Sequence, residues 1–150
     1  MLVCLALFAS VTTLFAAGTI NLPQTGQTTS YALGDDGALK IGVAWPNPRF
    51  TGNIDQTVTD TLTGLVWPKD ASTPTVNGCT GGTKTWQAAL DYVACLNSAV
   101  YLGYTDWRLP NINELQSITT AEQADPVTWL NLQSFTNVKS CDYWSSTTYA

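Results

Sequence analysis

"DWRLPNINEL", Asp106 to Leu115, puts a Trp, an Arg, a Pro, two Asn and a Glu within ten residues. Such a cluster is either a ligand site or the joint that opens a helix. Asn111 is a good N-cap, and Glu114 three residues later can bond back to the cap amide, as in a capping box. Pro110 stops the upstream chain from continuing as helix. Ile112, Leu115 and Ile118 then give the new helix an apolar face. Pro110, Asn111 and Glu114 are thus explained as structure, and Trp107 is expected to anchor the loop in the core. Arg108 needs a carboxylate partner. Asp91 and Asp142 are the candidates, and the sequence does not rank them.

Upstream, "WQAALDYVACLNS" predicts a helix with Thr85 as N-cap. Trp86, Ala89, Leu90, Val93 and Asn97 fall on one side, and Cys95 lies opposite Trp86. "TVTDTLTGLVW", Thr57 to Trp67, reads as a hairpin turning at Thr63-Gly64, with Val58, Leu65 and Trp67 facing the core. Ser72 to Thr83 is a loop by composition, Gly34 to Gly37 ("GDDG") is a turn, and "AWPNPRF" is extended. "CDYWSSTTYA", which contains Trp144, is expected to be a strand. Residues 18–49 are read as a linker or lead-in and residues 50–150 as the domain.

The first stretch differs from the rest. Leu2 to Ala17 carries no charge and is apolar except for Ser10, Thr12 and Thr13. It is shorter than the roughly 20 residues of a membrane span. Small residues follow it, so residues 1–17 read as a signal peptide, although no basic residue precedes the apolar run. The expected product is secreted or held in the cell envelope, with no membrane span after signal removal. "LPQTG" at Leu22 to Gly26 lacks the downstream hydrophobic tail and basic residues of a sortase signal, and reads as linker.

The chain of 150 residues has 11 acidic and 6 basic side chains, a formal net charge of −5. No basic patch is present, which argues against nucleic acid as a partner. There is no histidine. That removes Ser-His-Asp and Cys-His nucleophile activation and histidine metal ligation together. With no CxxC either, zinc is not expected. No catalytic residue, metal ligand or cofactor is assigned. Ser145, Ser146, Thr147 and Thr148 have no activating base, and Asp35 with Asp36, or Asp106 with Glu114, are carboxylate pairs by position only. Of the four cysteines, Cys4 falls in the signal, and export favours disulfides among the others. Cys79 with Cys95 is the expected bridge, leaving Cys141 unpaired within the chain.

Four ordered blocks carry a family resemblance: "VTDTLTGLVW", "TWQAALDYV", "GYTDWRLPNINELQSI" and "YWSSTTY". In that order they resemble the Lcl C-terminal domain family, found in collagen-like bacterial surface proteins and many secreted bacterial proteins. The resemblance implies an α+β, C-type-lectin-like fold, with two helices beside short antiparallel hairpins. It also implies an adhesion role with extracellular polysaccharide, including sulfated polysaccharide, or a surface protein as partner. Members usually continue past "WSST" through further strands, so the chain is expected to hold an incomplete form of the fold. In that setting the rival bridge joins Cys95 to a cysteine beyond Ala150. The sugar-specifying triplets of true C-type lectins are missing, and "ADPVTW" is only a distant echo of them. Trp67, Trp86, Trp107, Arg108, Pro110, Asn111, Glu114 and Trp144 are therefore read as structural. Ligand-binding residues are left unassigned: Tyr101 and Tyr104 have faces that can stack on a ligand, but core or rim packing is the preferred reading. Two alternatives to a binding domain stay open, an assembly module of an envelope protein and a degenerate relative of formylglycine-generating enzymes.

Overall fold

A computed structural model describes residues 21–148. The expected signal peptide lies outside the described residues. At the centre is an antiparallel sheet of three short strands, β1 (Phe50–Gly52), β2 (Thr57–Asp60) and β3 (Val66–Pro68), in the order β1-β2-β3. Gly64 adopts φ 75° and closes the β2–β3 turn, where its amide donates to the Asp60 carbonyl at 2.8 Å. A left-handed φ favours glycine. The hairpin therefore turns where Thr63-Gly64 predicts. Val58 pairs with Trp67, and Phe50 with Asp60. Directly opposed residues share a face, so Phe50, Val58, Trp67 and Asp60 all point to one side. Val58 and Asp60 are fully buried.

The core forms against that face. Phe50, Val58, Leu130 and Phe135 make its centre, with Trp67, Ile118, Trp129 and Val138 packed around them. Leu130 and Trp129 arrive on α4 (Pro126–Asn131), a helix that was not anticipated. Its start is nevertheless written in "ADPVTW". Asp125 accepts from the Val127 amide and Pro126 occupies the first turn, where its missing N–H has no cost.

Helix α2 (Trp86–Ser98) begins at the expected cap, where Thr85 accepts from Ala88 N. Its buried residues are Ala89 and Leu96. Leu96 lies two turns beyond Ala89 and belongs to the same face, whereas Trp86, Leu90 and Val93 are only half-buried. Cys95 bridges to Cys79, with Cα atoms 5.8 Å apart, and Cys141 is free and exposed. Closing a loop of this length constrains the unfolded chain by about 3 kcal/mol.

Three other expectations are corrected. "GDDG" does more than turn: Asp35 N-caps the one-turn helix α1 (Asp36–Leu39). The described helices are therefore four, with α3 (Ile112–Ser117), rather than two. Ile112 is exposed and leaves the apolar face of α3 to Leu115 and Ile118. "CDYWSSTT" forms no strand. No described strand lies alongside to complete a ladder, and the segment is held by single bonds such as Ser146 N to the Pro110 carbonyl, 2.8 Å.

Residues 21–49, expected as a linker, pack against the residues around α3 and α4. Thr28 and Thr29 donate their amides to one Glu122 oxygen at 2.7 and 2.9 Å. Trp45 donates its ring N–H to the Gln24 carbonyl and lies 6.1 Å from Trp129, centroid to centroid. Among the described residues no helix is long and apolar enough to cross a membrane.

Candidate binding cleft

The joint at Asp106 to Leu115 forms as its sequence predicts. Asn111 accepts from Glu114 N at 2.9 Å, and Glu114 accepts in return from Asn111 N at 2.8 Å. Arg108 supplies the unexpected part. Its Nη1 and Nη2 donate to the two Glu114 oxygens at 2.7 and 2.5 Å. The partner of Arg108 is thus Glu114, not Asp91 or Asp142. Glu114 is nearer because the capping box already turns it back over the loop, while Asp91 accepts from Gln87 instead.

The Arg108 guanidinium, with help from the Asn111 amide and against the effect of burial, draws the Glu114 carboxyl down from 4.5 to about 2. A lowered carboxyl stabilises the fold only while it is ionised. Its contribution is complete above pH 4.5, declines as pH falls, and is gone near pH 2. Glu114→Gln is expected to lose about 1 kcal/mol, from a weakened capping box and an exposed ion pair. Urea midpoints of the two proteins should differ at pH 7 and converge near pH 2.

Trp107 serves as an anchor through hydrogen bonds as well as packing. Its backbone N donates to Asn97 Oδ1 and its carbonyl accepts from Asn97 Nδ2, at 2.7 and 2.8 Å. Its ring N–H donates to the Tyr101 carbonyl at 2.8 Å. Tyr101 and Tyr104 lie 6.4 and 5.1 Å from its ring centroid. Trp107 therefore carries a small aromatic wall. Trp86 and Trp144 form a separate staple, where each indole N–H reaches across to a carbonyl beside the other, Ser145 O and Lys84 O.

The aromatic wall flanks an open cleft of about 390 Å³ lined by Gln56, Lys69, Asp70, Tyr101, Leu102 and Thr136. Four segments meet there. Lys69 N donates to the Gln56 carbonyl, Thr136 N to the Lys69 carbonyl, and Ala71 N to the Thr136 carbonyl, at 2.8–2.9 Å. Asp70 Oδ1 accepts from Ser72 N and Asn137 Nδ2 at 2.9 and 3.1 Å. Outside the lining, Tyr104 donates its hydroxyl to Asp55 Oδ2 at 3.1 Å.

The backbone around this cleft is strained. Gln56 has φ 65°, Leu102 φ 54°, and the neighbouring Val100 and Asn137 φ 51° and 57°. Asn tolerates this region, but a branched or bulky residue there costs about 1–3 kcal/mol. Such strain gathers at binding and switch sites because the surrounding fold holds a shape the segment alone would not adopt.

Burial raises the Asp70 carboxyl, but the Ser72 hydroxyl and amide, the Asn137 amide and the Lys139 charge together hold it below the usual carboxylate range. Burial and the Asp70 charge push the Tyr101 phenol upward. The cleft therefore holds an ionised carboxylate and a protonated phenol beside the Lys69, Gln56 and Thr136 side chains. This set can accept and donate hydrogen bonds to a polar ligand.

Of the residues singled out in sequence, Tyr101 lines the cleft; Tyr104 and Trp107 support it. Trp67, Trp86, Arg108, Pro110, Asn111, Glu114 and Trp144 lie elsewhere. Gln56, Lys69, Asp70, Leu102 and Thr136 were not singled out, and no motif joins them. A second groove, of about 430 Å³, follows the seam between residues 23–25, Trp45 and the segment Asn113 to Ala121. Among the described residues, no group of three or more His, Cys, Asp or Glu side chains could hold a metal ion.

An α+β domain with an open polar cleft is the architecture defined by these observations. The family model described as Lcl C-terminal domain matches residues 56–150, more than half of the chain, and the chain belongs to that family. No curated protein and no solved structure matches it.

Proposed function

We propose that the chain is an exported, non-catalytic binding domain of the cell envelope, and that the cleft beside Tyr101 takes part of an extracellular polysaccharide. The observation that carries this reading is the strained, polar cleft with an aromatic wall. Sugars present hydroxyls at their edges and C–H faces above and below the ring. Polar groups at Gln56, Asp70 and Thr136 suit the former, and the Tyr101 ring suits the latter. The absence of histidine and the apolar segment Leu2 to Ala17 support a non-catalytic, exported role.

The test is a polysaccharide binding panel on the intact chain, first with calcium and then with EDTA. Saturable binding that survives EDTA, and weakens about tenfold or more in Tyr101→Ala through loss of the stacking face, is expected. No binding, together with a concentration-dependent oligomer, would replace this reading with an assembly module.

A further inference from the structure

We infer that the groove beside α3 is a second saccharide subsite, and that one polysaccharide chain engages it together with the cleft at Tyr101. This inference rests on the binding reading above and extends it to a second set of residues.

The groove, of about 430 Å³, has no charged side chain in its lining. Its groups are of the two kinds that a sugar ring uses, hydrogen-bonding groups for the hydroxyls and apolar surface for the C–H faces. Asn113 and Gln116 are exposed and stand three residues apart on α3, so they share one face of the helix. Each carboxamide both donates and accepts. A pair of them can therefore hold neighbouring hydroxyls, donating to one and accepting from the next. Thr119 and Thr120 donate their hydroxyls inward, to the Gln116 and Gly26 carbonyls at 2.8 and 3.2 Å, which leaves their oxygens as acceptors.

Trp45 and Leu62, both half-buried, supply the apolar part. Trp45 is fixed from three sides. Its ring N–H donates to the Gln24 carbonyl at 2.7 Å, and the Arg49 guanidinium lies 4.2 Å from its ring centroid. Its outer edge packs onto Gly26 so closely that a Cβ there would stand 2.5 Å from Cη2. An aromatic surface held in this way loses little freedom when a ligand arrives.

The two sites lie at the two ends of β2. Gln56 of the cleft directly precedes the strand, and Leu62 of the groove follows it by two residues. At about 3.3 Å per residue, the chain from Gln56 to Leu62 spans at most about 20 Å. A polymer of several sugars covers that distance. Its second contact is then intramolecular, which raises avidity by about 10²–10⁴-fold over either site alone. The sites also divide the work. Lys69 and Asp70 bring charge to the cleft, whereas the groove reads hydroxyls and ring faces without it.

Titration of the intact chain with size-graded oligosaccharides of dextran and of dextran sulfate tests this. Short oligosaccharides are expected to bind two to a chain. Those long enough to bridge the sites should bind one to a chain, about a hundredfold more tightly. Asn113→Ala with Gln116→Ala strips both carboxamides from an exposed helix face, where Ala is favourable, and should melt like the parent. The double variant should take one short oligosaccharide and lose the gain with length, and the affinity it loses should not vary with salt. Tyr101→Ala should lose the same gain while keeping the groove site. One short oligosaccharide per parent chain, or affinity that does not rise with length, would overturn the inference while leaving the polysaccharide reading at Tyr101 in place. Binding of neither series would remove both.

Discussion

Arg49→Ala is expected to destabilise the fold by about 3–5 kcal/mol, because it leaves a buried carboxylate without its partner. Arg49 is 5 % exposed and Asp60 0 %. Arg49 Nε donates to Asp60 Oδ1 at 3.1 Å and Nη2 to Oδ2 at 2.9 Å, while Nη2 also reaches the Ser117 carbonyl at 2.6 Å. The guanidinium lies 4.2 Å from the centroid of a Trp45 ring and 4.7 Å from that of Phe50. Burial raises the Asp60 carboxyl, but Arg49, the Thr63 hydroxyl and the Leu62 amide more than offset it and hold the group ionised. Without Arg49 the carboxylate stands on the apolar face of the sheet.

Urea unfolding at pH 7 measures the loss, and a change below about 1 kcal/mol would mean that the pair is solvated rather than buried. Arg49→Met with Asp60→Leu should cost much less than the sum of the single changes, since an apolar pair of similar volume avoids the desolvation of both charges. Arg49 Nη1 is buried with no hydrogen-bond partner. That imperfect satisfaction favours the double variant further.

Phe50→Ala is expected to cost about 3–5 kcal/mol, as large-to-small changes in a packed core do. Phe50 joins every part of the core. Its ring meets Phe135 edge-on at 5.3 Å and Trp129 at 5.9 Å, and it lies under the Arg49 guanidinium. The strand, α4 and the chain beyond α4 therefore lose their common contact at once. The same urea experiment reads the effect. Phe50→Leu, which keeps part of the volume, should recover a substantial share of it. Equal losses for both variants would show that the edge-on aromatic contacts, rather than the filled volume, carry the stability.

Much of the local architecture was legible in the chain. Thr85 and Asn111 each cap a helix because a short polar side chain can satisfy an orphan amide within three residues. Thr63-Gly64 marks its turn because only glycine is unstrained at that φ. The disulfide between Cys79 and Cys95 joins a loop to the helix that follows it. These features depend on neighbours in sequence, so their chemistry is visible there.

Legibility ended where partners are distant. Asp60 looks like an ordinary turn residue, since nothing in "TVTD" says that period-two alternation puts a charge beside Val58 on the core face. Its partner Arg49 immediately precedes β1, and only the register of β1 on β2 brings them together. The cleft is a clearer case. Gln56, Asp70, Tyr101 and Thr136 come from four segments and share no spacing. They meet because Lys69 bonds to Gln56 on one side and to Thr136 on the other. The strand expected at Cys141 did not form for a related reason: β propensity describes fitness for a pleated neighbour and cannot supply one.

The sequence by itself determined the caps, turns, hairpin and bridge, along with the charge balance and the lack of histidine that narrow the chemistry. The tertiary structure alone decided which carboxylate each arginine meets, that residues 21–49 dock on the domain, and where the cleft lies. The division follows from range. Backbone capping and turn preferences act over a few residues, whereas ion pairing, burial and strain depend on groups brought close only by the packed core.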